Sequence, residues 1–93
     1  MGEASYKIPG GKLVKVKLHT KRGRISSVVI LGDFFLHPEE TLRAIEVELV
    51  GLLADEKAIS DLITQKLADA KATLIGATAD DMAKTIMMAW DSM

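Results

Sequence analysis

The sequence predicts a two-layer α+β domain: an antiparallel β-meander of about three strands, followed by about three helices packed on one sheet face. Three observations predict it. Ninety-three residues, 48% of them hydrophobic, can enclose one core but not two, so residues 1–93 read as a single domain. Residues 12–20 alternate, with Val14, Val16 and Leu18 on one side and Lys15, Lys17 and His19 on the other. Period two with one charged face is the mark of a half-buried antiparallel strand. Finally, every strand-like segment precedes every helix-like one, and such segregation suits helices layered on a sheet.

Each element follows from local chemistry. Tyr6-Lys7-Ile8 is a short extended segment, closed by the turn residues Pro9-Gly10-Gly11. The alternating strand of residues 12–20 comes next and ends in the tight loop Lys21-Arg22-Gly23-Arg24. Ile25 to Leu31 is rich in β-branched residues, although Val28, Val29, Ile30 and Leu31 run together and blur its phase. Gly32-Asp33 breaks this strand, and Phe34-Phe35-Leu36 leads to His37-Pro38-Glu39-Glu40. Proline at a first helical position with two acids behind it suits the free N–H groups and positive dipole end of a helix. Leu42, Ile45, Leu49 and Leu52 recur at helical spacing, with Gly51 weakening the last turn. Asp55 caps a second helix with the stripe Ile59, Leu62, Ile63 and Leu67. Thr73-Leu74-Ile75-Gly76 reads as a break. Thr78 and Asp81 then form a capping box with the shorter acid, opening a third helix whose apolar face is Met82, Ile86, Met87 and Trp90.

The net charge of −1 hides an asymmetry. Seven lysines and arginines in residues 1–30 face Glu3 alone, whereas residues 31–93 hold five basic and twelve acidic side chains. A basic patch draws nucleic acid, nucleotide phosphate or an acidic protein; alternatively, strand lysines simply solvate a sheet face and blunt its edge. Absence of cysteine excludes a disulfide framework, a thiolate metal site and a cysteine nucleophile. Two histidines, His19 and His37, have no ligand spacing, so no metal is expected. No apolar run approaches the roughly 18 residues of a membrane span, and Met1 to Ser5 has no signal-peptide core, so a soluble, cytoplasmic protein without membrane partners is expected.

Self-sufficient catalytic chemistry is not expected. Gly10-Gly11-Lys12 suggests a phosphate loop, but Leu13 stands where a hydroxyl residue is needed and a strand follows where a helix should. A glycine hairpin is the simpler reading, leaving Lys12 able to meet a phosphate as a point charge. Lys12 shares the inward phase of Val14, which is odd for a lysine unless the sheet end is open. Nucleic-acid binding lacks stacking platforms, because Tyr6 is the only aromatic among the first 33 residues. Asp33 and the Glu39-Glu40 pair offer carboxylates for acid–base work, but such residues more often cap a helix and favour its dipole. Phe34 and Phe35 read as core plugs, or one of the pair as an outward anchor for a partner. Met87, Met88 and Met93 around Trp90 read as core filler or adaptable contact surface.

Three segments carry a resemblance: Lys7-Ile8-Pro9-Gly10-Gly11-Lys12-Leu13-Val14, then Gly32-Asp33-Phe34-Phe35-Leu36-His37-Pro38-Glu39-Glu40, then Leu74-Ile75-Gly76-Ala77-Thr78-Ala79-Asp80-Asp81. In order and over nearly the whole chain, they resemble the C-terminal accessory domain of lipoate–protein ligases. The Gly-Asp-Phe-Phe segment is the most specific. The resemblance implies the SufE/NifU-like fold of sulfur-acceptor and iron–sulfur scaffold proteins, without their cysteine chemistry. It also implies that Lys7, Pro9, Gly10, Gly11, Lys12, Gly32, Asp33, Phe34 and Phe35 support a partner or an adenylation step, with no catalytic residue on this chain. The family's large domain carries an R-R-x-S-G-G-G signature and a catalytic lysine, and this sequence has no counterpart of either. A stand-alone small subunit is therefore expected, heterodimeric with a large catalytic subunit. That subunit is expected to bind ATP, Mg and lipoate, form lipoyl-adenylate and lipoylate a carrier-domain lysine. The chain alone is expected to bind no cofactor. A small protein-interaction or nucleic-acid-binding module using the basic N-terminal hairpin is the alternative, which a salt-dependent gel shift would separate.

Overall fold

The computed structural model describes residues 1–93. Strands β1 (Gly2–Lys7), β2 (Leu13–Lys21) and β3 (Arg24–Gly32) form an antiparallel meander in that order. Helices α1 (Glu40–Leu49), α2 (Glu56–Asp69) and α3 (Ala79–Asp91) make the second layer. α3 lies over β1 and β2, α1 lies over β3, and α2 packs against both helices. The α+β class and meander match the sequence-based expectation.

Alternation places the core as expected. Val14, Val16 and Leu18 of β2 are buried, while Lys15, Lys17 and His19 between them are exposed. The blurred phase of β3 has a structural cause: His19 pairs with Ser27 but Thr20 pairs with Ile25, leaving Ser26 as an extra residue. This bulge re-phases the strand, so that Ile25, Val28 and Ile30 all point inward. Arg22 and Gly23, both at positive φ, close the β2–β3 turn in the manner of a two-residue hairpin loop. Fifteen buried apolar side chains, drawn from the sheet, the β1–β2 loop and all three helices, form a single cluster.

Helix ends follow their caps. The Asp55 side chain accepts from the Ala58 N–H at 3.1 Å, and Thr78 with Asp81 forms the full capping box. The start of α1 corrects the sequence reading. Pro38 is not its first helical residue; it follows a cis His37–Pro38 bond and precedes Glu39, the N-cap, which makes no side-chain cap bond. Leu52 lies beyond the helix, in the turn whose carbonyl accepts from Ile25 N–H at 2.9 Å. A second correction concerns Thr73–Ile75, which is not a break but strand β5, paired antiparallel with β4 (Phe35–His37). The first strand also starts earlier than expected, at Gly2.

One edge of the sheet is managed by a carboxylate. Glu46, on the buried side of α1, accepts a 2.8 Å hydrogen bond from the Ile30 N–H on the free side of β3. Arg43 lies 3.7 Å from its other oxygen. Blocking an edge amide in this way leaves less template for stray strand pairing.

Candidate functional site

The three sequence segments meet at one end of the molecule. In the β1–β2 loop, Ile8 is buried and anchors the turn, with its carbonyl accepting from Gly11 N–H at 2.8 Å. The Lys7 ammonium curls back and donates to the carbonyls of Gly11 and Ile8. Pro9 and Gly10 are thus held out as an exposed tip by the chain's own groups.

The tip is stitched to the third segment. Lys12 N–H donates to the Gly76 carbonyl at 2.9 Å. Gly76 sits at φ +93°, and a Cβ there would lie 2.5 Å from Lys12 Cγ. Both the left-handed backbone and the lysine stem lying across it demand glycine. Lys12 is exposed, and no carboxylate of the chain pairs with it. Its oddity of phase is resolved by position: it precedes β2, and its stem lies over Gly76.

The second segment closes the arrangement. Asp33 N–H donates to the Leu13 carbonyl at 3.0 Å, and any side chain at Gly32 would collide with that same carbonyl. Phe34 turns inward and packs against the core; Phe35 turns outward, 56% exposed, with its ring stacked on His37 at 6.4 Å. The pair thus divides the two roles the sequence left open. Phe35 pairs across β4–β5 with Ile75, which is also exposed. Between Phe35, Leu31, Phe34 and Leu42 lies an open apolar cavity of about 330 Å³ with Glu39 at its rim.

Several acids do not take the roles expected of them. Asp33 caps no helix and lies in the bend between β3 and β4, and Glu39 offers only its backbone to α1. Glu40 does lie in the first turn of α1, where its charge matches the dipole. His19 and His37 join no cluster, and nowhere do three His, Asp or Glu side chains gather as a metal site. Perturbed titration lies elsewhere: hydrogen bonds to Asp61 and Glu48 raise the exposed Lys57 and the half-buried Lys66. Sequence reasoning missed Leu31, Ile75 and Glu46. Glu46 had a visible signal, a carboxylate on the same helical stripe as Leu42 and Leu49.

Comparison with known proteins covers most of the chain. A family model described as bacterial lipoate protein ligase C-terminus matches residues 3–86, a span that includes all three segments. A similar solved chain comes from an archaeal lipoylation system, a bi-partite lipoate protein ligase and its E2 lipoyl domain from Thermoplasma acidophilum. The two are 25% identical, the match covers 90% of this chain and 91% of that one, and the TM-score is 0.76. No curated protein sequence matches significantly.

Proposed function

The chain belongs to the bacterial lipoate protein ligase C-terminus family, and on that footing we propose that it is the small accessory subunit of a bipartite lipoate–protein ligase. The observation that carries the proposal is the convergence of the β1–β2 loop, Gly32–Phe35 and Leu74–Gly76 on one end that has recognition features and no catalytic ones. In this reading a large catalytic subunit holds ATP, Mg and lipoate, makes lipoyl-adenylate, and passes the lipoyl group to a lysine of a carrier domain. The small subunit supports the first of these steps.

Physical chemistry gives the end two ways to help. Adenylation brings a carboxylate against a triphosphate, and a nearby cation lowers the repulsion as charge develops. Lys12 is the cation free to act, because Lys7 is engaged by its own loop. Pro9 and Gly10 offer a smooth backbone tip that lets a partner loop approach closely, and ordering such a loop is gating. Phe35, aimed outward, supplies an apolar anchor for the partner. The test is reconstitution. The purified chain should neither consume ATP nor lipoylate a carrier, and adding the large subunit should restore ATP-dependent lipoylation. Turnover by the chain alone would sink the accessory reading.

A further inference from the structure

The outer face of the sheet carries two parallel ladders. Across β2 and β3, Lys15 is in register with Leu31 and Lys17 with Val29. All four are exposed, with Val29 at 41% and Leu31 at 46%. Beyond Gly32 the apolar ladder continues through Phe35 to its cross-strand partner Ile75. A strip of exposed apolar side chains therefore runs beside a column of cations. Neither cation has a partner: the ion pairs of the chain are Arg43–Glu46, Lys57–Asp61 and Lys66–Glu48, all on the helix layer. Glu3, in register with Lys17, makes no ion pair with it.

We propose that this strip is a docking surface for the large catalytic subunit, through a patch there that sets carboxylates beside apolar side chains. The inference rests on the heterodimer reading above and names the chemistry of its interface. Charge complementarity selects the occupant. Unpaired lysines call for carboxylates; apart from Glu3, Asp33 and Glu39 this chain's acids lie on the helix layer, so a second copy would bring chiefly the same cations to the contact. Nucleic acid would match the lysines but leave Val29, Leu31 and Ile75 without partners, and Phe35 alone is no stacking track. The cavity of about 330 Å³ between Leu31 and Phe35 accepts an apolar side chain of the partner, the usual form of an interface anchor.

Titration of the chain with the large subunit, at low and at high salt, tests this. Lys15→Glu with Lys17→Glu should weaken binding at least about tenfold and flatten its salt dependence. Leu31→Ser should weaken it without changing the salt slope. A charge-matched control, Lys57→Glu with Lys71→Glu, should bind within about twofold of the unsubstituted chain, and thermal unfolding should show that all variants fold. Equal losses in the control and the strip variant would overturn the proposal, since net charge alone would then explain both. So would unaltered binding by the strip variants, or a self-dimer that they dissolve. Failure of the unsubstituted chain to bind the large subunit at all would instead remove the heterodimer reading, and this inference with it.

Discussion

Lys7 and Lys12 stand in the same loop and meet different fates. The first spends its ammonium on two carbonyls of the turn; the second lays its stem over Gly76 and keeps its charge free. Lys12→Ala should therefore change stability by no more than about 0.5 kcal/mol, as for other surface positions. In the reconstituted complex it should slow adenylate formation by about tenfold or more, read as pyrophosphate release. An unaltered rate at saturating large subunit would confine Lys12 to docking. Gly76 behaves oppositely. A methyl group there meets Lys12 Cγ and a backbone of the wrong hand, so Gly76→Ala should cost about 1–3 kcal/mol in urea unfolding. The sequence offered no way to assign Phe34 inward and Phe35 outward. Strand alternation puts neighbours on opposite faces, but which face is buried depends on β5, thirty-eight residues further on in the pairing Leu36–Leu74.

Among the elements, those with a long internal period were legible and those without were not. β2 announces itself through its own alternation, and α2 and α3 through their stripes and caps. β4 and β5 have three residues each, too few to show a period, and exist only because they pair with each other. The bulge at Ser26 hid the phase of β3 for a similar reason, since it is a property of two strands. Pro38 misled because a proline near a helix start was read as lying inside it. At the β3 edge, Glu46→Ala would leave the Ile30 N–H buried without an acceptor. It should lower stability by about 1–3 kcal/mol, whereas Glu46→Gln, which keeps an acceptor oxygen, should lose less. Equal losses in chemical denaturation would mean that the carboxylate's packing, not its hydrogen bond, holds the edge.

The whole molecule separates a basic sheet face from an acidic helix layer and gathers its three recognisable segments at one end. The segments could be found in the sequence one at a time, through family resemblance; their meeting depends on contacts such as Lys12 to Gly76, which no local pattern reports. If that end serves activation of the acid, the two half-reactions should divide. With preformed lipoyl-adenylate the large subunit should transfer to the carrier nearly as fast without this chain as with it, whereas from ATP and lipoate it should need the chain. Equal dependence in both assays would remove the specific link to adenylation. At the opposite end of β1, Gly2 packs against Met93 and Ala89, and Glu3 N–H donates to Ser92 Oγ at 3.2 Å. The first and last residues are thus neighbours, while the Arg22–Gly23 tip is an exposed turn. A circular permutant that bridges Met93 to Met1 with a short flexible linker and opens the chain at Arg22–Gly23 should reach the same fold. The architecture, in other words, does not depend on the direction in which its thread is cut, only on which faces end up together.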